Sequence, residues 1–154
     1  MPTYIRPHIP AARIFFTATL QERGSRVLVD QVPRLRAAVA LTKAERPFRI
    51  DAWVVLPDHL HCVWTLPEGD DDFSTRWRLI KPRFSRGLPK GHLRPSHIAR
   101  QERGLWQRRF WEHHIRDDAD MAAHVQYCWV NPVKHGLVDR PEAWPYSSIH
   151  RDLR

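Results

Sequence analysis

Val54-Val55-Leu56-Pro57-Asp58-His59-Leu60-His61-Cys62-Val63-Trp64 is an apolar stretch interrupted once. The interruption decides how the chain folds. Pro57-Asp58 breaks the run, so residues 48–56 and 60–66 read as two strands joined in a hairpin. Successive strand side chains alternate between faces, so His59 and His61 share one face and can reach a single metal ion. Cys62 points to the other face, into the core. Two imidazoles inside an apolar run need polar partners if they are buried. The alternative is a pair of surface histidines on the exposed face of an edge strand, and spacing alone leaves both open.

On the N-terminal side, Ile14-Phe15-Phe16-Thr17-Ala18-Thr19-Leu20 is aromatic and β-branched and reads as a strand, followed by a turn at 21–25 with Gly24. Residues 32–46 have helical spacing through Leu35, Ala38 and Val39, with Pro33 in the first turn and Pro47 as the stop. On the C-terminal side, 67–72 is an acidic turn whose Asp72 caps a basic helix over 73–84, which Pro82 ends or kinks. Residues 87–104 lack periodicity and read as a loop. A strand is expected over 106–115. Asp117 or Asp118 then caps a helix over 119–129, interrupted by Asn131-Pro132. A short helix at 133–138 ends near Gly136, and 141–148 form a packed tail. Strand, helix, strand, strand, helix, strand and a further helix make an α+β chain. The expected architecture is a ferredoxin-like split βαβ sandwich: an antiparallel sheet, helices on one face, and an extra C-terminal helix carrying Tyr127. Its 154 residues suit one domain, 1–154.

Composition narrows the partners. The formal charge is +8, with a pI near 10.3 and a mean hydropathy of -0.55. Between Arg76 and Arg109 stand eleven Lys/Arg against the single acid Glu102, so this segment holds more positive charge than the whole chain nets. Trp77, Phe84, Trp106, Phe110 and Trp111 interleave with those charges, as stacking surfaces do in single-strand binders. The bland counterpart is a solvated basic loop. Arg76, Arg78, Lys81 and Arg83 cluster on the basic helix and are expected on phosphates. Arg108 and Arg109 are expected to join them, with Trp106 or Trp111 stacked on an unpaired base. No apolar stretch is long enough for a membrane span and no signal peptide is visible. Cys62 and Cys128 are the only cysteines and lack zinc-ligand spacing, which points to a reducing, cytoplasmic setting.

Tyr127 and Asn131 are four residues apart and share a face if the helix persists. A lone tyrosine is ordinarily packing, and Asn131 before Pro132 has an alternative as a helix cap. The larger pattern resolves this. His59-Leu60-His61 matches the His-hydrophobic-His (HUH) motif. Together with 52–67, Trp106-Gln107-Arg108-Arg109-Phe110-Trp111-Glu112-His113-His114-Ile115-Arg116, 127–138 and Trp144-Pro145-Tyr146-Ser147-Ser148, it resembles the single-tyrosine HUH transposases. Within these the chain is most similar to the REP-associated tyrosine transposases of bacteria, from Phe15 to about His150.

That resemblance implies an HUH transposase or endonuclease with Tyr127 as nucleophile and His59, His61 and Asn131 as ligands of Mg2+ or Mn2+. It implies cleavage of single-stranded or hairpin DNA at repetitive extragenic palindromes through a 5′-phosphotyrosine, and rejoining without ATP. It also implies a nucleoid-associated protein acting as monomer or homodimer. Two other readings remain at this point: a hairpin-binding module that has lost cleavage, and a metal-dependent nuclease that activates water.

Overall fold

Four strands form one antiparallel sheet in the order β2-β3-β1-β4: β1 Arg13–Thr19, β2 Arg49–Val55, β3 His59–Thr65 and β4 Trp111–His114. The computed structural model describes residues 11–89 and 104–152. The N-terminal segment and most of the 87–104 loop expectation lie outside them, as do Lys90, Arg94, Arg100 and Arg103. Helices α1 Val27–Asp30 and α2 Val32–Glu45 connect β1 to β2, and α3 Phe73–Ser85 connects β3 to β4. A long helix, α4 Asp118–Lys134, follows, then a 3-10 turn at Pro141–Ala143 and a short α5 Ile149–Asp152. This is the expected split βαβ arrangement, with β3 lying between β1 and β2.

The sheet separates two different interiors. Ile14, Phe16 and Ala18 pair with Trp64, Cys62 and Leu60 across β1 and β3. This face meets α2 and α3, where Phe16 packs edge-on against Trp64 and Trp77, and Trp64 stacks on Trp77 at 4.8 Å. The other face carries Phe15, Thr17 and Thr19 beside Val63, His61 and His59. There α4 packs over β2 and β3. A bulge at Asp51 shifts the β2–β3 register between Ile50 and Ala52. The outer edge of β2 is closed by the C-terminal tail: Trp144 donates its indole N–H to the Val55 carbonyl at 2.8 Å, and the backbone of 146–148 pairs with 53–55. A sheet edge left unpaired would invite association, and this tail removes one.

Three boundaries differ from expectation, each for a physical reason. Pro132 does not interrupt α4, which continues to Lys134. Asn131 and Pro132 are both buried, and packing of that turn outweighs the one missing donor and the pre-proline bias. Pro82 likewise sits in the last turn of α3, which runs to Ser85. The expected 106–115 strand is shorter: Trp106 makes an isolated bridge with Leu20, and the ladder begins at Trp111.

Candidate DNA-cleavage site

His59 and His61 are both buried on the α4 face of β3. Each ring is held by its Nδ1. His59 Nδ1 donates to the Asp58 carboxylate at 2.7 Å, and His61 Nδ1 bonds the Thr17 hydroxyl at 2.7 Å. Asp58 is itself fixed by the Gly24 N–H at 2.9 Å and by Arg23 at 3.2 Å. Gly24 has φ +89°, a left-handed conformation that glycine adopts without strain, and this aims its N–H at Asp58. Both Nε2 atoms are therefore left for other use. A carboxylate that fixes the ring orientation of a ligand histidine is the common arrangement around metals. Asp58 was legible in sequence only as a turn residue.

Helix α4 lays three residues against this pair. Tyr127 sits edge-on to His61 with ring centroids 5.1 Å apart, and against Phe15 at 5.8 Å. Asn131, one turn on, is fully buried. His135, at the end of the helix, approaches His59 with ring centroids 5.1 Å apart. Lys134 places its ammonium 5.2 Å over the Tyr127 ring. His61 Nε2 and both Asn131 amide atoms are buried without a hydrogen-bond partner among the described residues. Orphaned polar atoms of this kind are costly, and three converging at one place call for a ligand. Two imidazole nitrogens favour a transition-metal divalent cation such as Mn2+ over Mg2+, while the amide oxygen is a donor that either ion accepts. The residues present thus fit the implied ion.

Burial is the main reason that His61 stays neutral, with its pKa lowered to about 3. The nearby His59, His135 and Lys134 charges add to this, while the approach of Asn131 opposes it. His59 is shifted down by burial against the opposing pull of Asp58. An unfolded chain binds these protons near pH 6.5, whereas the folded one does not. Stability of the metal-free protein is therefore full above pH 6.5 and falls as pH drops towards 3. His61 alone is expected to remove about 2 kcal/mol between pH 7 and pH 5. Urea unfolding in EDTA at the two pH values checks this, and equal stabilities would contradict a neutral buried ring.

A second polar cluster fastens α4 at its start. Asp120 accepts from the Arg116 N–H at 2.9 Å and bonds His113 Nε2 at 2.9 Å, and His124 Nδ1 lies 3.1 Å from its other oxygen. The Arg116 N–H first, and then His113, hold the Asp120 pKa at about 2. The ligand-type atoms of His113, Asp120 and His124 all lie within 4.8 Å of one another. The His113 and His124 rings stack at 4.6 Å, and His124 touches Phe15, so this cluster sets where α4 crosses the sheet. Nothing in the spacing of these three residues announced it.

The residues expected at DNA stand in different settings. Arg76 is 1% exposed and binds Asp70 with both terminal nitrogens, so it is a structural clamp and not a phosphate contact. Arg83 is tied to Thr42 and Glu45 on α2. Lys81 donates to the Gln107 carbonyl. Arg78 is exposed, but α3 lies across the sheet from the histidine pair. Trp106 is 7% exposed, gives its indole N–H to the Lys81 carbonyl, and packs on Phe84. It is core, not a stacking surface. Arg108 and Arg109 are exposed, and Trp111 is 66% exposed.

The chain is 48% identical over 153 residues, 99% of its length, to the REP-associated tyrosine transposase of Escherichia coli K12, covering 86% of that protein. It belongs to the REP-associated tyrosine transposase family. A Haemophilus influenzae protein given the same name provisionally is 45% identical over 157 residues, with all of this chain and 89% of the relative covered. Among solved structures, a REP-associated tyrosine transposase bound to a REP hairpin matches with TM-score 0.84 and 48% identity, over 99% of this chain and 86% of that one. A provisionally named transposase from Deinococcus radiodurans shares the fold, with TM-score 0.51 and 17% identity over 82% of this chain and 95% of its own. No family profile matches the chain. No helix among the described residues is long and apolar enough to cross a membrane.

Proposed function

We propose that this member of the family binds REP-type DNA hairpins and cleaves and rejoins a flanking single strand through Tyr127, as one HUH domain. The observation that carries the reading is the convergence of Tyr127, His61 Nε2 and the Asn131 amide around unpartnered, buried polar atoms. His59, His61 and Asn131 would hold Mg2+ or Mn2+. A divalent cation there supplies Lewis-acid polarisation of the phosphate and fixes its orientation.

The chain's own groups do the rest. Asp58 and Thr17 hold the two imidazoles in register. Tyr127 Oη attacks phosphorus in line and gives up its proton. The bond from phosphorus to the 3′-oxygen breaks, and that oxygen leaves as a hydroxyl. The strand's 5′-phosphate stays on the tyrosine, so a 3′-hydroxyl can reverse the step without an energy source. Lys134 puts a positive charge over the ring from which that proton departs. Tyr127 and the histidines meet within one chain, which supports cleavage in cis by a monomer.

The test is a labelled hairpin with its single-stranded flank, incubated with protein and Mn2+ or Mg2+ and run on a denaturing gel. A slow, protease-sensitive band is expected. Cleaved ends without that band would favour a water-activating nuclease. Binding without cleavage in either ion would favour a hairpin-binding module.

A further inference from the structure

Across the α4 face of the sheet, Val54, His61, Thr17 and Trp111 stand directly opposite one another on β2, β3, β1 and β4. Helix α4 packs over β2 and β3. Thr17 and Thr19 are consequently only partly buried, although Ala18 and Leu20 between and beyond them are fully buried. An open strip of sheet thus runs from the histidine pair to the edge strand, and Trp111 forms its far wall. Trp111 is the most exposed large apolar side chain among the described residues, at 66%. Same-face neighbours on paired strands are about 5 Å apart, so two steps put the Trp111 Cβ roughly 10 Å from that of His61.

The borders of this strip are cationic. Gln107 N–H bonds the Thr19 carbonyl, which brings exposed Arg108 and Arg109 alongside the Thr19 end. Exposed Lys134 stands over Tyr127 on the helix side. Arg23, ion-paired with Asp58, adds a positive charge near His59. Among the described residues, no other exposed large apolar side chain lies on β1 or β4 to extend Trp111 into a protein interface. A flat aromatic ring at one end of a cation-lined strip suits a nucleobase, whose face stacks while its phosphate meets the cations.

We propose that this strip is the single-strand channel, and that Trp111 is the platform on which an unpaired base next to the scissile phosphate stacks. The proposal rests on the reading of His59, His61 and Tyr127 as the cleavage site. Of the two tryptophans that the sequence offers for stacking, it selects Trp111 over Trp106.

The experiment measures affinity of Trp111→Ala and Trp111→Phe for two DNA hairpins, one blunt and one with an unpaired flank. The flank is then scanned with one abasic nucleotide at a time. Trp111→Ala is expected to bind the flanked hairpin on the order of ten-fold more weakly. Its affinity for the blunt hairpin should not change, and Trp111→Phe should recover most of the loss. One abasic position should weaken the wild-type protein and leave Trp111→Ala unaffected. Wild-type affinity of Trp111→Ala for the flanked hairpin would overturn the proposal, as would equal losses on both hairpins. Failure of the cleavage reading shows separately, as absence of the covalent band from wild-type protein while the abasic position still registers.

Discussion

Tyr127→Phe is expected to abolish covalent attachment to DNA, lowering cleavage by a factor on the order of 10^4 or more, because the substitution removes the attacking oxygen itself. The fold should not notice. Tyr127 is half-buried, and its ring keeps the edge-on packing on His61 and Phe15 and the ammonium of Lys134 after loss of one hydroxyl. Stability should stay within about 0.5 kcal/mol of wild type, and hairpin affinity should be unchanged. A denaturing gel, a thermal melt and a binding titration on the same preparation check all three. An adduct surviving in Tyr127→Phe would move the nucleophile elsewhere. Tyr146 does not offer an equivalent position, since it packs on Trp144 in the tail that closes the outer edge of β2.

This outcome depends on α4 remaining helical through Asn131, a point where local sequence pointed the other way. The pre-proline bias argued for a break at Asn131-Pro132. Burial of both residues against the sheet supplies the compensation, and no reading of propensity contains that burial. The strands were easier, because alternation within 14–20 and 60–66 reports which residues share a face, although not that both faces of β3 are buried. The same alternation could not choose between Trp106 and Trp111. That choice depends on Trp106 meeting Phe84 and Lys81, while Trp111 lies on an edge strand beside uncovered sheet. His59 and His61 were visible as a pair. Asp58, Thr17 and Gly24, which orient them, come from the turn, β1 and the loop after it. The sequence separates each partnership from its meaning: Thr17 lies 44 residues from His61. Charge was the least legible property. A cluster of arginines looks the same whether it faces phosphate or a carboxylate of its own chain.

Arg76 shows the consequence. Its guanidinium donates to the carbonyls of Arg46, Pro47 and Asp72 and to both oxygens of Asp70. One side chain thus joins the end of α2, the entry to β2 and the acidic turn before α3. Arg76→Ala would strand those acceptors and part of the Asp70 charge, at a cost of about 3 kcal/mol. The corresponding drop in Tm is on the order of 10 °C. Arg76→Lys should recover little, because an ammonium cannot reproduce the forked geometry. Arg78→Ala, at an exposed position on the same helix, should stay within about 0.5 kcal/mol. The decisive comparison is the salt dependence of hairpin binding by the folded fraction. Removing a side chain that neutralises one phosphate of a duplex stem would lower the log–log slope by about 0.9. A buried clamp leaves the slope where it was, so Arg76→Ala should lose stability and keep the wild-type slope. A reduced slope with an unchanged melt would return Arg76 to the DNA interface.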